Sequence, residues 1–156
     1  KRLAKLEEAG EYTGKKLTKE EVATLASIID SETANNAEKP TIAALYMNRL
    51  RLGMPLQSDP TVKFALQDWG LRRILHKHLE IDSPYNTYKN TGLPPGPICV
   101  PSIAGIEAVL NYDKNNYIYM CAKEDFSGTH NFATNYAEHQ KNAARYVKAL
   151  NQRGIR

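Results

Sequence analysis

Cysteine is scarce in this sequence, long apolar runs are missing, and no block of like charge stands out. Two cysteines, Cys99 and Cys121, allow at most one bridge, and two buried thiols fit the same count, so they say little about compartment. No apolar stretch approaches the ~20 residues that a membrane-spanning helix needs. The chain begins at Lys1 without a signal-peptide pattern, so it reads as a processed product or an excised fragment. Its 21 basic and 17 acidic residues give a net charge of +4, but they are interspersed. Attraction to anionic polymers is permitted, yet no basic-aromatic motif supports nucleic acid as a partner. His76 and His78 stand two residues apart, which splays them on a helix, and no Cys or carboxylate cluster has ligand spacing. No metal and no cofactor is expected. What is present is ordinary globular material: 156 residues, 42% hydrophobic and 24% charged, fit one domain able to bury a core without staples.

Along the chain, residues 1–10 read as a helix closed by Gly10. Thr18 and Glu21 form a T-x-x-E capping box that opens a second helix, LTKEEVATLASIIDSETA. Pro40 fits the first turn of the next helix, which runs through Ile42, Leu45, Tyr46 and Arg49 and ends before Gly53. These two helices should pack as a pair. MPLQSDPT reads as a turn or extended segment, with Pro60 pushing Asp59 out of helical geometry. Residues 61–80 look partly helical, interrupted at Trp69-Gly70. Ser83 to Pro101 holds five prolines and two glycines, too many breakers for regular structure, and long ordered loops of this kind are usually functional. A short helix capped by Ser102 follows. YIYMCAK alternates as a strand, and a turn around EDFSGTH returns a second strand through Asn131 and Phe132. The last helix, NYAEHQKNAARYVKALN, offers Ala137, Ala144, Tyr146, Val147 and Leu150 for its inner side. The fold class expected is α+β: helices packed with a small antiparallel β element and a long Pro/Gly-rich loop.

One residue breaks the pattern of its own helix. Leu25, Ile28, Ile29 and Glu32 follow the i, i+3, i+4, i+7 rule and share one face, which should turn inward. Burial raises a carboxyl pKa, and the negative end of the helix dipole pushes the same way. An acid still protonated near neutral pH suits general-acid chemistry. The plainer alternative is a Glu that frays into solvent at the helix end. Asp30 lies about 200° round the helix, so the two acids cannot form a dyad on one face.

Four motifs in order, LASIIDSETA, YMNRLRLGMPLQSDPTV, SPYNTYKNTGLPPGPICVPS and THNFATNYAEHQKN, closely resemble the catalytic domain of the YceG-like endolytic murein transglycosylases, the MltG family. The resemblance runs from about Leu17 to near the C-terminus. It implies a domain over 17–156, with 1–16 the remnant of an upstream helix or linker. It also implies that Glu32, at the Glu of the family's A-S-I-x-x-x-E-T pattern, is the catalytic acid. Asp30 stands where many relatives have Glu and Ser31 where many have Lys, both off the stripe. Relatives usually carry a membrane anchor and a LysM-like region ahead of this domain. The resemblance therefore implies a bacterial cell-envelope protein at the periplasmic face of the cytoplasmic membrane, anchored through an upstream segment. Its implied partners are peptidoglycan glycan strands and cell-wall synthesis proteins.

The implied reaction cleaves the bond between N-acetylmuramic acid and N-acetylglucosamine to leave 1,6-anhydromuramoyl ends, with one Glu as acid and then base. The remaining motifs are candidates for holding sugar and peptide. Gln57, Ser58 and Asp59 offer an amide, a hydroxyl and a carboxylate beside a proline-fixed bend; alternatively Ser58 and Asp59 only cap the following helix. Tyr85 and Tyr88 can present flat faces to sugars while Asn86 and Thr87 hydrogen bond, or the tyrosines can pin the loop to the core. Gly92, Leu93, Pro94, Pro95 and Gly96 read as a rigid cleft wall, or as loop architecture alone. His130 and Asn131, on the hairpin, are further candidates, against a structural role for the histidine. Two other readings stay open: a retaining muramidase-type hydrolase using Glu32 with Asp59 as nucleophile, and a non-catalytic glycan-binding module.

Overall fold

In a computed structural model of the chain, residues 17–68, 71 and 74–154 are described. The helix expected over 1–10, the boundary at residue 16 and the Trp69-Gly70 interruption lie outside them.

Helix α1 (Lys19–Glu32) opens on the expected capping box: Thr18 Oγ1 accepts from the Glu21 amide at 3.1 Å, and the Glu21 carboxylate accepts from the Thr18 amide at 3.0 Å. Two orphan donors of the first turn are thereby satisfied. Leu25, Ile28 and Ile29 are completely enclosed, and at roughly 1.5–3 kcal/mol for each buried aliphatic side chain they fix which face turns inward. Helix α2 (Lys39–Leu52) carries Pro40 in its first turn and closes on Gly53, whose φ of 71° is the left-handed conformation that glycine adopts without strain. Ile42, Leu45 and Tyr46 pack with the α1 stripe in one core.

Helix α3 (Asp59–Leu66) begins at Asp59. Asp59 was expected outside helical geometry because Pro60 follows it. A proline within the first helical turn removes only an N–H that has no helical acceptor, so the helix starts two residues earlier than expected. A 3-10 helix (His76–Glu80) leads into the proline-rich loop, which has no helix or strand between residues 81 and 102. The loop recrosses α1, where the Ile98 amide donates to Ser27 Oγ at 3.0 Å. Helix α4 (Ile103–Leu110) is capped by Ser102, whose Oγ accepts from the Gly105 amide at 2.9 Å. Asp30 fastens α4 to α1 from the side of α1 away from Glu32. It accepts from the Ser102 amide at 2.6 Å, Ser102 Oγ at 2.9 Å and Lys39 Nζ at 2.8 Å. Burial alone would raise the Asp30 carboxyl, but these donors hold it below its ordinary range.

Strands β1 (Tyr119–Ala122) and β2 (His130–Ala133) form an antiparallel hairpin, with Tyr119 opposite Ala133 and Ala122 opposite His130. Met120 and Phe132 turn toward the helical core. Helix α5 (Tyr136–Gln152), capped by Asn135, packs on the hairpin. Its inner face differs from the expected one: Ala137, Ala144 and Val147 are exposed, while His139, Asn142, Ala143, Tyr146 and Leu150 turn inward. The spacing is still helical, but three of these side chains line a cleft and so need not be aliphatic. The whole is an α+β domain, as expected.

Candidate active site

Glu32 is the last residue of α1, and its carboxyl meets side chains from α2 and from the segment before α3. Its Oε1 accepts from the Tyr46 hydroxyl at 2.7 Å and from Ser58 Oγ at 2.9 Å. Burial raises its pKa above the ordinary value, and the charge of Asp59 adds to the rise. Tyr46, the His130 imidazole and Ser58 recover only part of it. The Tyr46 hydroxyl is itself pushed well up, first by burial and then by Glu32, so it stays a donor.

Ser58 is held on both sides of its backbone. Its amide donates to Thr87 Oγ1 at 2.8 Å, its carbonyl accepts from Thr61 Oγ1 at 2.6 Å, and the Gln57 amide donates to the Thr87 carbonyl at 3.2 Å. Gln57 sits at φ 52°, a region that non-glycine residues seldom occupy and that commonly marks a functional constraint. Ser58 takes the N-cap position of α3, but its hydroxyl goes to Glu32 rather than to the helix. Asp59 lies at the open side of the site and accepts from the Tyr88 hydroxyl. Desolvation by the surrounding protein raises the Asp59 carboxyl, less what Tyr88 and Lys63 recover.

Two hollows meet at Glu32. The larger, about 370 Å³, is lined by Arg49, Gln57, Asp59, Tyr88, Tyr119 and His139 among others. The smaller, about 210 Å³, runs along the hairpin turn past Lys123, Phe126, Gly128 and Thr129. Glu32, Ala122, His130 and Tyr146 line both. The Thr33 hydroxyl, donating to the Gly128 carbonyl at 3.3 Å, ties the end of α1 to that turn.

Of the residues singled out in the sequence, Glu32, Gln57, Asp59, Tyr88 and His130 line the larger hollow, and Ser58 supports Glu32 from a fully buried position. His130 also has a structural bond, its Nδ1 lying 3.0 Å from the Glu38 carboxylate. The others lie elsewhere. Tyr85 packs on Phe64 with ring centroids 4.8 Å apart. Asn86 donates to the carbonyls of Leu79 and Ile81 at 2.9 and 2.8 Å, and Thr87 clamps Ser58. Gly92, Leu93, Pro94, Pro95 and Gly96 do not wall the hollow; Leu93 packs against the core, and Gly96 leaves room for the Tyr85 hydroxyl. Asn131 donates to the Glu124 carboxylate at 3.1 Å. Cys99 and Cys121 are both free thiols.

Sequence reasoning did not assign Tyr46, Arg49, Tyr119, Tyr136, His139 or Tyr146 to the site. For Tyr46 and Arg49 a signal existed: both sit on the apolar stripe of α2, the same anomaly that marked Glu32 on α1. Tyr119, Tyr136, His139 and Tyr146 come from the hairpin and α5, whose docking no local pattern reports.

A hydrogen-bonded carboxyl group of raised pKa at the junction of two hollows, in an α+β domain of short helices and one hairpin, has the chemistry that acid–base work requires. The chain belongs to the YceG-like family, which matches over residues 1–145. It is 43% identical over 138 residues to a Bacillus subtilis (strain 168) protein named endolytic murein transglycosylase, covering 88% of this chain and 38% of that protein. A Streptococcus pneumoniae serotype 2 protein of the same name is 37% identical over 139 residues, covering 86% of this chain and 25% of its own length. The crystal structure of a YceG-like protein from Listeria monocytogenes superposes with a TM-score of 0.77 at 38% identity, over 89% of this chain and 44% of that one. The chain thus spans less than half the length of each of these relatives.

Proposed function

We propose that this chain is the catalytic part of an endolytic murein transglycosylase, with Glu32 as its acid and then its base. The observation that carries the reading is the hydrogen bonding of the Glu32 carboxyl. Oε1 already accepts two hydroxyl donors, so in the neutral acid the proton belongs on Oε2. Oε2–H donates to the glycosidic oxygen as that bond to the muramoyl anomeric carbon breaks and positive charge builds on the ring. The carboxylate left behind is stabilised by Tyr46 and Ser58. It then takes the proton of the muramoyl 6-hydroxyl, whose oxygen closes on the anomeric carbon. A 1,6-anhydro ring forms, the acid regains its proton, and no water is consumed. The intramolecular nucleophile supplies a high effective concentration.

Hollows on both sides of Glu32 suit a polymer lying across the acid, which is the requirement for cutting within a strand. Gln57, Asp59, Tyr88 and His130 are the sugar contacts this reading assigns. The chain works in the cell envelope, at the outer face of the cytoplasmic membrane, held there by an upstream segment and close to cell-wall synthesis proteins. Because Asp59 is near enough to raise Glu32, a retaining hydrolase is the second reading, with Asp59 as nucleophile. The test of the acid is Glu32→Gln, incubated with uncrosslinked murein strands. Turnover should fall at least about a hundredfold, the usual contribution of a general acid, while strand binding persists. Unchanged turnover would remove Glu32 from the chemistry, and with it the proposal.

A further inference from the structure

The arm of the larger hollow lined by α2 and α5 contains a cation with no counter-charge among the described residues. Arg49 is 4% exposed, yet its bonds are all to neutral acceptors. Nε donates to the Ile118 carbonyl at 2.6 Å, and Nη1 donates to the Pro55 carbonyl at 2.6 Å and the Gln57 side-chain carbonyl at 3.4 Å. Its remaining contact is the face of Tyr119, 5.2 Å from the ring centroid. Among the described residues no carboxylate pairs with Arg49, and Nη2 has no acceptor. A buried guanidinium normally keeps an anionic partner, because taking the charge out of water is costly without one.

His139 stands in the same arm with a similar deficit. It stacks on Tyr119 at 4.9 Å and 19°. Its Nδ1 is enclosed without a partner, and Nε2 has none among the described residues. The ring lines the hollow, which leaves its Nε2 edge the one open to a ligand. Burial, and then the charge of Arg49, favour its neutral form; in the tautomer with the proton on Nε2 the ring holds a donor without an acceptor. An unpaired positive charge and an imidazole nitrogen without a partner thus both sit against the Tyr119 ring, in one hollow.

We infer that Arg49 and His139 form a carboxylate-binding subsite in the arm of the cleft away from the hairpin turn, and that it takes a carboxylate carried by a muramoyl unit of the strand. The inference rests on the proposed murein substrate. The free Nη2 of the guanidinium donates to a carboxylate in a charge-assisted bond, His139 supplies a second hydrogen bond, and Tyr119 flanks the sugar to which the acid is attached. Such a contact distinguishes anionic from neutral strands and sets the register in which a strand lies over Glu32. Two sources carry this chemistry: the acids of a peptide stem, and the lactyl carboxylate exposed when the stem is removed.

The test is calorimetric binding to the Glu32→Gln form of the chain, which cannot turn the ligand over. Three matched uncrosslinked strands are compared: stems with free acids, stems with every acid capped as a methyl amide, and strands stripped of stems so that each lactyl group ends in a carboxylate. At least one anionic strand should bind about tenfold more tightly than the capped one, the scale of a single charge-assisted pair, and the tighter of the two identifies the source. Arg49→Gln in the same background should erase the preference. His139→Phe, which keeps the stacking and removes only the nitrogens, should reduce it severalfold, and this variant decides the matter if Arg49→Gln does not fold. Equal binding of all three strands would overturn the subsite while leaving the murein reading intact, as would a preference that survives His139→Phe and any folded Arg49→Gln. Binding of none would overturn both.

Discussion

The Tyr46 hydroxyl crosses from α2 to the C-terminal end of α1 and donates to Oε1 of Glu32 at 2.7 Å. This bond favours the carboxylate, whereas burial and Asp59 favour the neutral acid. Tyr46 therefore moderates the rise in the Glu32 pKa, which in the proposed mechanism lets the group serve as acid and then as base.

Removing that hydroxyl should move the pH profile in a defined direction. Tyr46→Phe takes away a donor to the charged form, so the Glu32 pKa rises further and the basic limb of kcat/KM moves to higher pH. The ring still fills its place in the core, so the stability cost is about 1 kcal/mol. A basic limb displaced to lower pH would contradict the role given to Tyr46.

Stability should depend on pH through the same carboxyl. The folded-state pKa of Glu32 lies above its ordinary 4.5. The stabilisation it confers is complete below about 4.5 and is lost as pH rises through the raised value. Glu32→Gln does not incur this loss, and its amide oxygen can accept from Tyr46 and Ser58 as Oε1 does. In urea denaturation the stability of the variant relative to the parent should increase from pH 4 to pH 8. A constant difference would mean that Glu32 titrates normally.

Thr87 is a positioning residue for Ser58. Thr87→Val keeps its shape but leaves the buried Ser58 amide without its acceptor, at a cost of about 1–3 kcal/mol. On murein strands kcat should fall with KM little changed, and Thr87→Ser should restore it. A rise in KM alone would return Thr87 to the substrate contacts.

Gly105 is a packing requirement. A Cβ there would lie 2.5 Å from Asp30 Oδ1 and 2.8 Å from its Cγ, and Asp30 is fixed by Lys39 and Ser102. Gly105→Ala gains about 1 kcal/mol of helix propensity, but overpacking costs about 1–3 kcal/mol and breaking the Asp30 bonds adds to it. The variant should be less stable than the parent in urea, with the activity of the folded protein retained. A more stable variant would show that α1 and α4 can separate without cost.

The features legible in the sequence are those that local rules govern. The Thr18–Glu21 box and the Ser102 cap each depend on residues three apart, and the α1 stripe brought out Glu32 because a helix repeats its faces. The family motifs were legible too. The loop from Ser83 to Pro101 has no repeat, so nothing in it distinguishes Tyr88, which reaches Asp59, from Asn86 and Thr87, whose side chains hold backbone. For α5, choosing its inner side by apolar content selected Ala137 and Val147. The real inner face is set by docking against the hairpin and cleft, where His139 and Asn142 are accommodated.

The most direct test of the account is the chemistry of the new chain ends. Uncrosslinked murein strands incubated with this chain are read by mass spectrometry. The account predicts 1,6-anhydromuramoyl ends from cuts within the strand, absent with Glu32→Gln. Reducing muramoyl ends, each heavier by one water, would contradict it and transfer the reaction to a hydrolase in which Asp59 takes part.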